Sequence, residues 1–338
     1  ILLNKNGPQQ LSIQGSVIDP QWAPDGQKIA YVKAQDLWVY DLKTHKERQL
    51  TKNGSLQLTH GIAEFVAQEE MRRLSGYCWS PDSQSIAFEE ADHRKVEIWY
   101  ISDPLHPENP PAQQYYPRPG KANVKARLGI IGLSTQKIQW VNLPMEYLAS
   151  LKWSKLGGLT VQLQDRLQQK LVLAEVKDGK LHTLQQETSS AWVPLSQEVP
   201  IWTDAQHFLT LKRRNDRMAL ALIERSGKTR FFDLAQDYDI DEIVAYDKEK
   251  QAVLLRIDST PGNPRLHWIS LTKDAPPYDP TYEGVDEAVY SKGKLAVQQQ
   301  TVELMPQLTV EGQAVDSQAV NPKIAVRPEF RTVGDYRT

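Results

Sequence analysis

QWAPDGQKIAYV (21–32) and CWSPDSQSIAFE (78–89) are two copies of one pattern: an aromatic residue, a Pro-Asp turn, two or three polar residues and an apolar strand. Weaker copies follow at LKWSKLGGLTVQL (151–163), PIWTDAQHFLTLK (200–212), VAYDKEKQAVLLR (244–256) and AVYSKGKLAVQQQ (288–300). The anchoring aromatics are Trp22, Trp79, Trp153, Trp202, Tyr246 and Tyr290, at intervals of 57, 74, 49, 44 and 44 residues. A basic period near 44 residues, with four short strands per unit, is that of a β-propeller blade. Burial explains the repetition, because one four-stranded blade exposes two faces that only neighbouring blades can cover. Each anchoring ring is expected to pack between blades. Asp25 and Asp82 are expected to cap tight turns through their side chains, so no chemistry is expected at these turns.

The rest of the chain fits an all-β fold. Period-two alternation recurs in KIAYVKA (28–34), DLWVYDL (36–42), SIAFEEA (85–91), VEIWYIS (96–102), KLVLAEV (170–176) and MALALIE (218–224). Helical periodicity is scarce, which argues against a doubly wound α/β enzyme. LSIQGSVI (11–18) reads as a stray strand ahead of the first anchor. The two long intervals mark insertions. The first carries about 13 surplus residues, the length of IAEFVAQEEMRR (62–73), which has neither Gly nor Pro. It is predicted to be a short helix with Ile62, Phe65, Val66 and Met71 on one side. The second has a surplus of about 30, and DPLHPENPPAQQYYPRPG (103–120) brings six prolines that forbid a central strand and favour an extended excursion.

Composition removes several functions. Lys and Arg number 40 against 42 Asp and Glu, a net charge of −2, so nucleic acid is not an expected partner. No apolar run reaches the roughly 18–20 residues of a membrane helix. The single cysteine, Cys78, excludes an internal disulfide and a thiolate metal cluster, and leaves the compartment open. Seven scattered histidines show no paired-ligand spacing, and QDYDIDE (236–242) lacks the glycine and distal glutamate of a calcium loop. That acidic string reads as a solvated inter-blade linker, and Lys212-Arg213-Arg214 as a blade edge. Phosphate-binding and dinucleotide glycine motifs are absent, and so is the G-x-S-x-G nucleophile elbow. No catalytic residue, metal or cofactor is therefore expected. The chain opens at Ile1 with no charged-then-apolar leader, as expected of a processed, trimmed or incomplete sequence.

One feature of the first insertion stands out against this background. Glu69 and Glu70 are adjacent in FVAQEEMRRLSGYCWSPD (65–82), on inserted rather than repeated sequence. Adjacent glutamates usually form a solvated helix face. Insertions on propellers, however, project where binding sites are built. Two carboxylates together suit a primary ammonium with three donors, each contact at about 4 Å being worth on the order of 4 kcal/mol before desolvation, at an effective dielectric near 20.

At these residues the sequence resembles the dipeptidyl peptidase IV family of serine exopeptidases, in the prolyl oligopeptidase superfamily. HGIAEFVAQEEMRRLSGYCWSPDSQSIAFEEADHRKVEIWYISDP (60–104) and YYPRPGKANVKARLGII (115–131) are similar to its N-terminal propeller. IDEIVAYDKEKQAVLLRIDSTPGNPRLHWISL (240–271) resembles a later blade, with Trp268 where the family usually has Tyr, and NPKIAVRPEFRTV (321–333) resembles the strand leading to the hydrolase domain. The resemblance implies that Glu69 and Glu70 hold the N-terminal ammonium of a peptide substrate and that Trp192, in SSAWVPL (189–195), lines the subsite for the penultimate residue. An arginine that the family uses from an earlier blade has no counterpart.

The expected architecture is therefore an all-β propeller domain over 1–325 with six recognisable four-stranded blades, part of an eight-bladed family propeller, and a short helix near 62–73. Residues 326–338 are expected to begin a linker toward an α/β-hydrolase domain. In this reading the chain gates substrate entry for a serine-type dipeptidyl peptidase that releases N-terminal dipeptides, Xaa-Pro above all. Expected partners are the peptide, the C-terminal hydrolase domain and a second copy in a homodimer. The resemblance favours a bacterial periplasmic or secreted setting over a cytoplasmic one. The alternative is a stand-alone TolB-like propeller acting as an interaction scaffold, which has no need of the double glutamate. The chain by itself is expected to hydrolyse no Xaa-Pro amide, because paired glutamates supply no covalent nucleophile, base and oxyanion hole together. Turnover of a chromogenic amide that survives removal of contaminating peptidases would refute this.

Overall fold

The computed structural model describes residues 2–4, 7–214, 217–232, 234, 239–258, 263–272, 282, 284–300, 306–315, 332–333 and 336–337. Contacts group the chain into two compact units, Ile1–Gln197 and Glu198–Thr338. Among the described residues, every regular element is a strand except one short helix. The boundary expected between 325 and 326, and most of the stretch 321–333, lie outside the described residues.

The first unit holds three large antiparallel sheets and two two-stranded ones, Leu2–Asn4 with Gly7–Gln9 and Ile98–Ile101 with Ala112–Tyr115. Sheet one runs in chain order through Ile18–Trp22, Lys28–Lys33, Asp36–Asp41 and Lys46–Gln49. Sheet two places Ser85–Asp92 at its centre, with Lys125–Gly132 and then Ile138–Val141 on one side. Sheet three is the meander Tyr147–Ser154, Gly158–Gln164, Lys170–Lys177 and Lys180–Thr188. In the second unit, sheet four comprises Ile201–Trp202, His207–Arg214, Arg217–Glu224 and Thr229–Phe232. Sheet five has Asp239–Asp247, Ala252–Asp258 and Pro264–Ser270. Sheet six has Val285–Ser291, Lys294–Gln299, Gln307–Val310 and Gln313–Ala314. The six anchoring aromatics fall one per sheet, each on the strand that opens the repeat or, for Trp79, on its resumed half.

Apolar residues from facing sheets make the cores. Val32, Leu37 and Val39 of sheet one pack with Trp79, Ile86, Phe88 and Ile131 of sheet two. Ala87 and Leu128 from the other face of sheet two join Leu148, Val161 and Leu163 of sheet three. The second unit repeats the arrangement, with Leu209 and Leu220 against Ile243, Val253 and Leu255, then Leu254 and Trp268 against Val285 and Val297. Central strands buried on both faces explain why runs such as SIAF and AVLL are continuous rather than strictly alternating.

The Pro-Asp turns are capped as their chemistry requires. Asp25 Oδ1 accepts from Gln27 N at 2.9 Å, and Asp82 Oδ1 accepts from Gln84 N at 3.0 Å and from Ser80 Oγ at 2.5 Å. The Ser80 hydroxyl above all holds the Asp82 carboxyl below the usual carboxylate range. Trp79 and Trp202 are buried, whereas Trp22 is 51% exposed. Ahead of the strand that carries Trp22, the described residues form only the two-stranded pairing of Leu2–Asn4 with Gly7–Gln9. Residues 11–17 form no strand. Leu11, Ile13 and Val17 instead pack irregularly against Ile29, Tyr31 and Tyr40.

VEIWYIS leaves its blade. Ile98–Ile101 pairs only with Ala112–Tyr115, making a separate two-stranded hairpin around the proline-rich segment. This accounts for the longest interval between anchors.

Sheets one and two are also tied by buried charge. His60 Nδ1 lies 2.8 Å from Asp36 Oδ1 of sheet one, and its Nε2 lies 3.0 Å from Glu90 Oε2 of sheet two. Glu90 also accepts from both Nε and Nη2 of Arg127, and Asp36 accepts from Thr51 Oγ1, Gln49 Nε2 and Gly54 N. Burial would raise the Glu90 carboxyl, but the hydrogen bonds and charges of His60 and Arg127 outweigh it and bring it down to about 2. Glu90 therefore adds stability above its ordinary value of 4.5, and that contribution is lost as pH falls through about 2. His60→Ala should leave two facing buried carboxylates short of a partner and cost about 3 kcal/mol or more in urea unfolding at neutral pH. A loss under about 1 kcal/mol would show that the tie is not a structural joint.

Candidate functional site

The insertion sits inside a strand. Leu58–His60 pairs with one half of Ser85–Asp92, and Tyr77–Trp79 pairs with the other half on the same edge. Gly61 N donates to Glu89 O and Glu89 N to Gly76 O, each at 2.8 Å, so the ladder continues up to both ends of the excursion. Ile62 and Ser75 bridge across its neck. A Cβ on Gly76 would fall 2.4 Å from the carbonyl carbon of Ile62 and 2.5 Å from Ala63 N. The neck closes only because residue 76 has no side chain.

Within the excursion, helix α1 spans Phe65–Glu69, shorter than the 62–73 segment from which it was expected. Glu64 caps its start and Glu70 its end, and Arg72 turns the chain at a φ of 54° before Arg73. The four apolar residues do not share one face. Val66 and Met71 pack with Tyr147, Ala149 and Leu195, and Phe65 meets the ring of Tyr116 at 5.2 Å. Ile62 joins the core between sheets one and two. Early termination sends these side chains to different neighbours.

The underside is a buried charge cluster. Glu64 is 3% exposed, and its Oε2 and Oε1 accept from Val66 N at 2.8 Å and Ala67 N at 2.7 Å. Glu89 is wholly buried and accepts from Arg73 Nη2 at 2.7 Å. Arg73 donates further to Leu148 O at 2.9 Å and Ser75 O at 3.1 Å. Burial, reinforced by the charge of Glu89, pushes the Glu64 carboxyl up to about 7.

Glu69 and Glu70 lie on the opposite, exposed side, as the last helical residue and its cap. Among the described residues, no hydrogen bond or ion pair engages either carboxylate. Trp192 lies in the loop between sheets three and four, 56% exposed, and no contact brings its ring against the glutamates. Its loop does dock beside α1. Gln197 Nε2 donates to Met71 O at 2.6 Å and Ala149 O at 2.7 Å, and Leu195 packs near Val66.

Sequence reasoning missed Glu64, Arg73 and Glu89. Glu64 is an unusual cap residue, and Arg73 and Glu89 carry no local motif, since their pairing depends on a contact 16 positions apart in sequence. Beside α1, Tyr116 also contacts Trp99 at 5.5 Å on the projecting hairpin, and Arg118 covers Trp99 while pairing with Glu97 at 2.6 Å. The segment YYPRPG thereby links helix and hairpin.

Repeated antiparallel blades, with one blade carrying an inserted helix that presents paired exposed carboxylates, define the class as a β-propeller. The family model described as "Dipeptidyl peptidase IV (DPP IV) N-terminal region" matches residues 2–301, and the chain belongs to this family. The structure of Porphyromonas gingivalis dipeptidyl peptidase 4 superimposes with a TM-score of 0.79, covering 90% of this chain and 46% of that one at 17% identity, which establishes the shared propeller fold. Human dipeptidyl peptidase 8 is 33% identical over 125 residues, 32% of this chain and 14% of the relative. Mouse inactive dipeptidyl peptidase 10 is 23% identical over 269 residues, 73% of this chain and 34% of the relative. The chain thus spans about a third or less of the length of these curated relatives.

Gly76→Ala should force the neck open at the cost of about 1–3 kcal/mol. Thermal unfolding should register the loss, and hydrogen exchange should show deprotection concentrated in 61–76. Unchanged protection there would mean that the neck tolerates a side chain.

Proposed function

We propose that this chain is the substrate-reading part of a dipeptidyl peptidase, in which Glu69 and Glu70 bind the free α-ammonium of a peptide. An α/β-hydrolase domain C-terminal to the propeller then cleaves after the second residue, with Xaa-Pro ends as the favoured substrates. The observation that carries this reading is the division of labour around α1. The inner glutamates, Glu64 and Glu89, are committed to a cap and to Arg73, whereas the adjacent outer pair is exposed and unengaged. Family membership supports the same assignment. It does not by itself confer catalysis, since one relative is named an inactive peptidase.

Holding the ammonium fixes how far the peptide enters, so the hydrolase serine reaches only the bond two residues in. Trp192 serves the subsite for the penultimate residue in this scheme, and the docking of its loop through Leu195 and Gln197 favours that placement. A second copy of the chain is a proposed partner, and the exposed Trp99, Tyr100 and Ile101 on the hairpin are the surface that favours it. The inserted helix and the family match favour this reading over a stand-alone interaction scaffold.

In open solvent each contact to an exposed carboxylate is worth about 1 kcal/mol or less. Enclosed by the hydrolase domain, a charge-assisted hydrogen bond is worth roughly 1.5–3 kcal/mol. In the enzyme containing this propeller, Glu69→Gln and Glu70→Gln should each lower kcat/KM for free-amine Xaa-Pro substrates about ten- to a hundredfold, at roughly 1.4 kcal/mol per decade. Folding should be unaffected. An N-acetylated substrate should be poor for the unmodified enzyme and little changed by either variant. Full activity of both variants toward free-amine substrates would reduce the pair to a solvated helix end.

A further inference from the structure

We infer that Glu64 is the positioning residue of the double-glutamate site: the buried carboxyl that organises α1, left without an ion pair of its own while Arg73 pairs with Glu89, makes the presentation of Glu69 and Glu70 proton-dependent. The inference rests on the reading of that pair given above and concerns how it is held.

A helix of five residues does not stand alone, because nucleation costs more than its few hydrogen bonds return. Here Glu64 supplies most of the missing partners. Its two carboxyl oxygens take the amides of Val66 and Ala67, and its carbonyl takes Gln68 N at 3.1 Å. At the far end Glu70 N donates to Val66 O at 2.9 Å, and Arg73 N donates to Ala67 O at the same distance. The outer glutamates are therefore placed by a turn fastened at one end by Glu64 and at the other by Arg73.

Charge does not balance beneath this turn. Two carboxylates, Glu64 and Glu89, are buried here, and among the described residues the guanidinium of Arg73 pairs with Glu89 alone. Arg73 donates one bond to Glu89 and one each to the carbonyls of Leu148 and Ser75. Glu64 N also donates to Glu89 Oε2 at 3.3 Å, while Glu89 Oε1 is buried with no hydrogen-bond partner among the described residues. Tyr147 of sheet three also feels the charge of Glu64, and burial above all raises its hydroxyl. The pair of carboxylates is relieved by taking up a proton, and Glu64, buried without an ion pair among the described residues and raised by burial and by Glu89 against the opposing pull of the Val66 and Ala67 amides and of Arg73, is where it binds.

The sign follows from linkage. The folded carboxyl sits near 7 against an ordinary 4.5, so the protonated form favours the closed turn. That stabilisation is complete below about 4.5 and is lost as pH rises through about 7. Over this window local opening of α1 becomes easier by up to about tenfold per pH unit. An ammonium on the outer pair should pull the other way, its charge favouring the ionised cluster below it.

The test is amide hydrogen exchange at Val66 and Ala67 on this chain between pH 5 and 8, expressed as protection factors to remove the intrinsic pH dependence. In the unmodified chain protection should fall at least tenfold as pH rises toward neutrality. In Glu64→Gln it should be independent of pH. Glu89→Gln removes the competing carboxylate, so its midpoint should move clearly to lower pH, a response that a purely structural cap would not give. Flat protection in the unmodified chain, or the same fall in Glu64→Gln, overturns the inference.

A second arm uses n-butylammonium, which stays charged throughout this range, monitored by NMR at the Glu69 and Glu70 side chains. Binding should lower the Glu64 midpoint, and a bound probe that leaves the midpoint in place overturns the coupling. Absence of any ammonium effect at Glu69 and Glu70 overturns the proposed function, while the exchange measurements still decide the role of Glu64.

Discussion

The strand Ser85–Asp92 must bury two consecutive carboxylates, one on each face, at the centre of a sheet. Neither can be left uncompensated, since an unpaired buried charge costs several kcal/mol. The first unit is organised around the two answers. On one face Glu90 meets His60 and Arg127, and His60 carries the contact on to Asp36, joining sheets one and two. On the other face Glu89 meets Arg73, which lies at the base of the inserted helix and reaches the backbone of sheet three at Leu148. A single strand thus ties three sheets and the candidate site together.

The two answers differ in completeness, and that difference bears on function. Around Glu90 the guanidinium of Arg127 donates to one carboxylate, Thr51, Gln49 and Gly54 N donate to Asp36, and the ring of His60 bridges the two. Around Glu89 one guanidinium pairs with only one of two buried acids. The complete cluster behaves as a joint. The incomplete one holds a proton whose exchange is linked to the shape of a five-residue helix, and it lies under the residues proposed to receive a substrate. Stored electrostatic imbalance of this kind is typical of sites rather than of joints.

The excursion that carries the site costs the sheet little. The strand it interrupts resumes in register on the same edge, with Gly61 and Gly76 closing the gap. The site was inserted without disturbing the blade, as expected of a fold in which each repeat buries its faces against its neighbours and tolerates additions at its edges. The hairpin 98–115 follows the same logic. It too leaves one blade, and it stacks its aromatic base on Phe65 of the helix through Tyr116.

How much of this was legible beforehand depends on the range of the interaction. The repeat was legible because blade formation is local: an aromatic, a capped Asp turn and a strand recur at a fixed interval, and Asp25 and Asp82 cap their turns as their spacing implied. The position of the Glu69–Glu70 pair on an insertion was legible from interval arithmetic alone. The length of α1 was not, because it ends where Arg72 adopts a left-handed conformation so that Arg73 can reach Glu89. Nor were the roles of Glu64, Glu89 and His60. In the sequence they are ordinary polar residues among strand patterns, and they acquire partners 25, 16 and 30 positions away only when the sheet closes. Sequence alone determined the repeat of blades and most of their strands, since those follow from local periodicity and polarity. Tertiary structure alone decided which acids are buried, which of them pair with a cation and where the proton resides, because burial and charge compensation exist only between segments brought together by the fold.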